Sequence, residues 1–318
     1  MRTATISSRT ILLLCELAAA WIVVSPAIAQ EAPFQSRQVT PTGEYTFGIE
    51  GPAVDAQGNL YVVNFGKPGT VGKLAAGASQ SELFAVLPEG SIGNAIRFDP
   101  EGRMFVADYK KHNIFPVGRD GKQVETYFHS DDFNQPNDMT IATDGTIYAS
   151  DPHWKQRDGQ IWRVSKSADG TAVGEKMTAD RKMSTTNGID LSPDGKTLYV
   201  GESDTREIWS YRIDGPRLLS PRLVKRFDDF GIDGLRTDTE GNLFVARILK
   251  GTIAVLTPQG KLTREIKLTA KEPTNLAFGG HDGKTIFVTQ RQGGFIESFR
   301  TDRPGRKYCF QACAEGRK

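Results

Sequence analysis

Residues 186–200 read TNGIDLSPDGKTLYV, and this stretch contains one complete copy of the repeat that decides the fold. Asn187 lies eight positions before Gly195, the glycine of a polar turn, and the apolar run Leu198-Tyr199-Val200 follows the turn. An apolar segment, a glycine turn and a second run of β-branched and aromatic residues predict two strands joined by a hairpin.

The same pattern occurs six times along the chain. An oxygen-bearing side chain precedes each turn glycine by eight positions, and these residues are Glu50, Asn94, Asn137, Asn187, Asp233 and Asn275. The turn glycines are 44, 43, 50, 46 and 42 residues apart, which is the period of a propeller blade. A second strand pair follows in most units, for example at 207–211 and 252–256. We therefore predict an all-β, six-bladed β-propeller with four short antiparallel strands per blade.

Residues 1–29 have the pattern of an export signal. Arg2 and Arg9 precede an apolar stretch over 11–24, and Ala27-Ile28-Ala29 offers a small-residue cleavage site. We expect an exported protein, periplasmic or secreted, in which residues 30–318 form a single propeller domain with a short C-terminal tail. An uncleaved anchor is the alternative, although the apolar stretch is short for crossing a bilayer.

Charge and cysteine usage exclude several classes of function. The net charge is +2 over 318 residues, without the clustered basic surface that nucleic-acid binding requires. After cleavage we expect no membrane association, and a small molecule is the expected partner.

Cys309 and Cys313 are the cysteines of the mature chain, and they form either a disulfide or two free thiols. They lack the two further ligands of a zinc site.

The six repeated side chains predict a metal at one end of the propeller. The first strand of each blade lines the central channel, so residues at its start gather at one mouth. Two of them, Glu50 and Asp233, are carboxylates, which we expect to face each other across the channel. Carboxylate and amide oxygens favour Ca²⁺, with Mg²⁺, Mn²⁺ or Zn²⁺ as other candidates. The alternative is that each residue merely caps its own turn.

Several segments resemble the blade motifs of the regucalcin/gluconolactonase family. They are Gly48-Ile-Glu50-Gly-Pro52, Gln135-Pro-Asn-Asp-Met139, residues 186–195 and Ile232-Asp-Gly-Leu235. The resemblance implies a divalent metal held by Glu50, Asn187 and Asp233, with Asn137 near both metal and substrate. It also implies hydrolysis of a sugar lactone or a related cyclic ester.

Two positions near Asn137 depart from that pattern or add to it. Gln135 stands where many sugar-lactonase members have an arginine, and an amide lacks the charged fork that binds two substrate oxygens. Gluconolactone is therefore a weaker candidate substrate, while Gln135 stays a substrate-binding candidate. In the segment Asp151-Pro-His-Trp154, His153 is a candidate hydrogen-bond donor or proton carrier, and simple solvation is its alternative.

These residues suggest a mechanism and leave a second class of function open. In the expected hydrolase the metal polarises the lactone carbonyl, and Asp233 is the general base that takes a proton from water. The sequence contains no Gly-x-Ser-x-Gly elbow and no His-Glu-x-x-His motif for other hydrolytic schemes. The alternative is a non-catalytic propeller that binds a ligand or protein and uses the ion structurally. A lyase on the same scaffold is a weaker third option.

Overall fold

The computed structural model describes Met1 and residues 32–306. Apart from Met1, the predicted export signal lies outside the described residues, as do Cys309 and Cys313, so both predictions stay open. Within the described range all regular secondary structure is β-strand, in six sheets, which confirms the all-β, six-bladed propeller. No helix of the described residues is long and apolar enough to cross a bilayer.

The strands follow each other blade by blade after β1 (Arg37–Gln38). Blade one contains β2 (Tyr45–Val54), β3 (Leu60–Phe65), β4 (Thr70–Leu74) and β5 (Glu82–Val86). Blade two contains β6 (Gly93–Phe98), β7 (Met104–Asp108), β8 (Asn113–Val117) and β9 (Phe128–His129). Blade three contains β10 (Met139–Ile141), β11 (Ile147–Asp151), β12 (Gln160–Lys166) and β13 (Ala172–Lys176).

The other three blades repeat this order with two additions. Blade four contains β15 (Thr186–Leu191), β16 (Thr197–Glu202), β17 (Glu207–Asp214) and β18 (Arg217–Arg226), and β14 (Thr178–Ala179) pairs with β18 in parallel. Blade five contains β19 (Leu235–Thr237), β20 (Leu243–Arg247), β21 (Thr252–Leu256) and β22 (Leu262–Lys267). Blade six contains β23 (Pro273–Gly279), β24 (Thr285–Gln290) and β25 (Phe295–Arg300), with β1 as its outermost strand.

Glycine turns join the first two strands of every blade, as predicted. All six turn glycines have φ between 69° and 85°, a conformation that strains other residues. In the first turn, Oδ1 of Asp55 accepts hydrogen bonds from the backbone N–H groups of Gln57 and Asn59 at 2.9 and 2.8 Å. The turn residues therefore fix the hairpins through local backbone geometry.

The apolar core lies between the blades rather than at the centre of the molecule. Val63 of blade one packs with Ile96 and Val106 of blade two. Val62 packs with Ile296 of blade six, so the same packing closes the ring. The innermost strands β2, β6, β10, β15, β19 and β23 each contact the next, and β2 contacts β23. This closed ring leaves a polar channel, whose lining comes from the innermost strands.

Candidate active site and metal centre

Five of the six repeated oxygen-bearing residues lie at or just before the start of an innermost strand, and Glu50 lies in the middle of β2. Glu50, Asn94, Asn187 and Asn275 belong to β2, β6, β15 and β23, whereas Asn137 and Asp233 come two residues before β10 and β19. Asn94 is half-buried and the other five are buried. Their equivalent positions in the blades bring them to one end of the channel.

Two glycines bring neighbouring site residues unusually close together. A Cβ on Gly188, directly after Asn187, would lie 2.4 Å from the carbonyl oxygen of Asp233. A Cβ on Gly234, directly after Asp233, would lie 2.2 Å from Oδ1 of Asn275. Any larger residue at either position would displace the next site residue around the ring, so these glycines help to set the size of the site.

The two carboxylates are separated by one blade rather than placed on opposite sides. The strand that carries Glu50, β2, and the strand that follows Asp233, β19, both border blade six, because the first and fifth of six blades have the sixth between them. The expectation that these residues face each other across the channel is therefore wrong. Burial raises the pKa of Glu50 to about 8, and the charge of Asp138 adds to this rise. Burial, followed by the charge of Glu50, raises the pKa of Asp233 well above its usual range.

Asn187 presents an unused acceptor beside these carboxylates. Its Nδ2 donates to Oγ of Ser203 at 3.0 Å, and that hydroxyl donates to the carbonyl oxygen of Ile232 at 2.8 Å. This chain orients the amide, whose Oδ1 is buried without a hydrogen-bond partner. The same side chain interacts with the carboxyl of Asp233, and this interaction lowers the pKa of Asp233 and so opposes the rise caused by burial. A buried acceptor without a partner costs free energy unless something binds it.

Asn137, in blade three, is connected to Glu50 through Asn94 of blade two. Nδ2 of Asn94 donates to the carbonyl oxygen of Asn137 at 3.3 Å. The backbone of Asn94 approaches Gly51 closely, with its carbonyl oxygen 2.5 Å from the position of a Cβ there. Asn94 thus links the segment of Asn137 to the strand of Glu50.

A layer of buried charge lies directly beneath the site. Asp138 is fully buried and forms ion pairs with Arg97 and Arg236, the latter at 2.9 Å. Asn275 connects this layer to the site, since its Nδ2 donates to Glu50 at 3.1 Å and to Asp138 at 3.4 Å. Its Oδ1 accepts from Nη2 of Arg236 at 2.9 Å. Burial raises the pKa of Asp138 even though the guanidinium of Arg97 opposes the rise.

A second ion pair lies farther along the channel. Arg306 donates to Oδ1 of Asp190 at 2.8 Å and to Oγ1 of Thr140 at 2.6 Å. Thr237 donates to Oδ2 of the same carboxylate at 3.0 Å. Burial would raise the pKa of Asp190, but the nearby guanidinium outweighs it and holds the pKa below its usual range. This carboxylate is fully paired, unlike those of the candidate site.

The predicted substrate-binding residues divide into two groups. Gln135 is half-buried, and its side chain hydrogen-bonds the hydroxyl of Tyr109, which also bonds the side chain of Trp154. His153 instead pairs within its own loop, with Nδ1 2.7 Å from Oδ1 of Asp158. Gln135 is therefore bonded to an aromatic residue, Tyr109, whereas His153 is bonded to the carboxylate of Asp158.

Sequence reasoning missed the residues that support the site from below. Arg97 and Arg236 lie on the innermost strands β6 and β19, and Asp138 directly follows Asn137. A signal for them was present, because a charged residue between buried apolar neighbours on an innermost strand must be paired. Ser203, which orients Asn187, has no comparable signal in the sequence.

The donor set fits a hard divalent cation. Two buried carboxylates with raised pKa values and one unpaired amide oxygen converge at this end of the channel, and a cation would satisfy all three. Across residues 32–306, no three side chains of His, Cys, Asp or Glu cluster as a metal site, so amide oxygens would have to complete the coordination.

Fold and site together define a six-bladed propeller with a buried, oxygen-lined pocket at one end of its channel. The family model for the SMP-30/gluconolactonase/LRE-like region matches residues 50–292, and the chain belongs to this family. Its members include lactone hydrolases, and a hydrolase of this type is consistent with the pocket.

Individual relatives support the same assignment. The chain is 28% identical over 221 residues to a gluconolactonase of Zymomonas mobilis, and the match covers 62% of this chain and 60% of that protein. It is 27% identical over 308 residues to a diisopropyl-fluorophosphatase of Loligo vulgaris, covering 88% and 97% of the two chains. The structure of a calcium-binding regucalcin from Agrobacterium tumefaciens superposes with a TM-score of 0.68 at 18% identity, over 85% of this chain and 97% of that one.

Proposed function

We propose that the protein is an exported, metal-dependent hydrolase that opens a lactone or a related cyclic ester. The observation that carries the proposal is the unpaired, buried Oδ1 of Asn187 beside the carboxyls of Glu50 and Asp233. Membership of the gluconolactonase-like family supports the reaction class. The regucalcin superposition supports calcium as the first candidate among divalent ions.

Glu50, Asn187 and Asp233 would hold the ion, with Asn137 as the fourth candidate ligand. A bound divalent cation supplies electrophilic stabilisation of the oxygen on which negative charge develops. Ser203 keeps the amide of Asn187 in one orientation, and Asn275 does the same for the carboxyl of Glu50.

Asp233 is the proposed general base. Its burial next to Glu50 raises its pKa, which makes its carboxylate a better proton acceptor than an exposed aspartate. Asn137 and Gln135 would donate hydrogen bonds to the substrate, and Tyr109 holds the amide of Gln135 in place. His153, which is bonded to Asp158, would contribute at the edge of the pocket.

Lactone hydrolysis with and without a chelator tests the proposal. We expect turnover of at least one member of a panel of sugar and alkyl lactones, loss of turnover with chelator, and recovery with Ca²⁺. Asp233→Asn should lower kcat by about 10²–10⁴-fold, the usual contribution of a general base. The matched control is Asp169→Asn, which makes the same change in an exposed hairpin turn and should keep full activity.

Two results would redirect the proposal. Absence of turnover on the whole panel would favour the non-catalytic propeller, in which the ion is structural. Turnover of a phosphofluoridate without turnover of lactones would favour the reaction named for the Loligo vulgaris relative, whose match extends over most of both chains.

Export rests on the sequence of residues 1–29 alone. Cleavage after Ala29 would leave Gln30 at the N-terminus. N-terminal sequencing of protein recovered outside the cytoplasm tests this proposal, and an intact Met1 in that fraction would contradict it.

A further inference from the structure

Four large apolar side chains are exposed on segments at the end of the channel that carries the candidate site. They are Phe47, Trp154, Phe230 and Leu249, with exposed fractions of 68, 38, 47 and 52%. We call this set the apolar rim. Exposed apolar groups scattered singly are ordinary, but a group around a pocket indicates a binding surface.

Contacts tie two members of the apolar rim to the site from different blades. The guanidinium of Arg291 stacks over the ring of Phe47 at 4.6 Å, and its charge lowers the pKa of Asp233. Trp154 bonds the hydroxyl of Tyr109, which also bonds Gln135 two residues before Asn137. With its polar group engaged by Tyr109, the indole presents mainly apolar surface to solvent.

The other two members lie on the two loops that flank Asp233. Phe230 comes three residues before Asp233. Leu249 comes three residues after Ala246, whose carbonyl oxygen accepts the N–H of Asp233 at 3.0 Å. The apolar rim therefore has members beside Asp233 as well as in blades one and three.

Both of these residues have a strained backbone conformation that hydrogen bonds hold in place. Phe230 and Leu249 have φ of 43° and 68°, which bulky residues rarely adopt. Arg247 is buried and fastens one loop to the other by donating to the carbonyl oxygens of Asp229 at 2.6 Å and Gly231 at 3.3 Å. Strain of this kind persists where the surroundings hold it, and it is common at ligand-binding sites.

The polar groups of the mouth do not suit a substrate covered with hydroxyls. Arg291 is paired with Glu272 at 3.2 Å, and Tyr109 engages one group of the Gln135 amide, which leaves few polar groups at the mouth for the many hydroxyls of a sugar. The four side chains of the apolar rim leave little hydrogen-bonding capacity for a sugar ring. They offer instead a surface on which alkyl or aryl groups lose contact with water.

We propose that the apolar rim binds an alkyl or aryl substituent of the substrate, so that the enzyme acts on apolar lactones in preference to polyhydroxylated ones. This inference rests on the proposed function, because it concerns the substrate of the same site. The ester group enters the polar pocket while the substituent packs against the rim. Each added methylene group then increases kcat/KM by up to about fourfold, the limit for full burial.

A series of γ-lactones with lengthening alkyl chains tests the inference. We expect kcat/KM to rise with chain length in the wild type and to exceed that of a polyhydroxylated lactone. Leu249→Asn removes the apolar group, and asparagine tolerates the left-handed backbone at this position. It should lower kcat/KM of the long-chain lactones by about tenfold, as the loss of one buried leucine predicts. The matched control is Leu83→Asn on β5, where the exposed fraction is 53% and the chain-length dependence should stay unchanged.

A binding measurement separates failure of the inference from failure of the proposed function. The corresponding γ-alkyl lactams, which resist hydrolysis, are titrated into the metal-loaded protein by calorimetry. Affinity that grows with chain length and falls in Leu249→Asn would support the apolar rim even if no lactone were hydrolysed. Affinity and kcat/KM that are both independent of chain length, or equally affected by Leu83→Asn, would overturn it.

Discussion

Asn275 shows how one amide can join two layers of charge. It donates to the carboxyls of Glu50 and Asp138 and accepts from Arg236, so both its oxygen and its nitrogen are used. This bond adds to the one that the Glu50 carboxyl accepts from the N–H of Gly51 at 2.9 Å, and together they fix its orientation. We therefore regard Asn275 as a positioning residue for the candidate metal ligand rather than as simple lining.

Replacement of Asn275 by alanine should weaken both folding and metal binding. The change leaves Arg236 and Glu50 each short of one buried partner, which costs about 1–3 kcal/mol of unfolding free energy. Urea unfolding measures this loss, and calorimetric titration with Ca²⁺ should show reduced affinity.

A hydrogen bond of the same type outside the site provides the control for Asn275→Ala. Nδ2 of Asn242 donates to Oδ2 of Asp238 at 2.8 Å in a hairpin turn, so Asn242→Ala breaks an equivalent bond away from the site. It should leave Ca²⁺ affinity unchanged. Equal affinities for wild type and Asn275→Ala would show that Glu50 does not depend on this amide.

The candidate site shows which residues a repeat can reveal and which it cannot. The eight-residue spacing before a turn glycine reveals Asn187 and Asp233, which lie at or just before the start of an innermost strand. For Asp138 and Arg236 the sequence indicates only that each needs a partner, because the choice of partner across the channel depends on the angle between blades, which no local pattern encodes. The separation of Glu50 and Asp233 by a single blade follows from the order of the repeats, because in a closed ring of six the first and fifth units both border the sixth.

At the scale of elements, the hairpins were predictable and the closure of the ring was not. Each turn carries a glycine with positive φ, so its position is a local property of the sequence. The outermost strand of blade six is β1, which comes from the other end of the described chain and has only two residues. Its bonds to β25 are reinforced by Thr40, whose Oγ1 accepts the N–H of Ile296 at 2.9 Å. Nothing in so short a strand distinguishes it from a loop.

Removal of the segment before Thr42 should open this closure. The segment supplies several hydrogen bonds to blade six, including those of the Phe34 and Val39 N–H groups at 2.8 Å. At about 0.5–1.5 kcal/mol for each bond, a chain that begins at Thr42 should have a Tm lower by roughly 5–15 °C. Differential scanning calorimetry measures the change against a chain that begins at Gln30. Identical Tm values would show that β1 is dispensable for ring closure.

For the whole molecule, the candidate site is a source of instability when no cation is bound. The pKa of Glu50 is raised to about 8, and that of Asp233 well above its usual range, so the folded protein holds protons that the unfolded chain has released. Stability therefore falls as pH rises between the ordinary carboxyl pKa and about 8. Asp190 has a lowered pKa and contributes stability that is lost only as pH falls below the ordinary range, so it does not affect this window.

Chelator-treated protein should accordingly lose thermal stability between pH 5 and pH 8, and Ca²⁺ should reverse the trend. Metal binding requires deprotonated carboxylates, so Ca²⁺ affinity and the stability it confers should both increase toward pH 8. Thermal unfolding across this range, with chelator and with saturating Ca²⁺, measures the difference. The double variant Glu50→Gln with Asp233→Asn removes these two titrating groups and should lose less stability with rising pH in chelator than the wild type, although Asp138, whose pKa is also raised, still titrates. Wild-type stability that rose with pH in chelator would mean that these carboxyls are already ionised and paired without a metal, which would remove the electrostatic argument for a cation at this site.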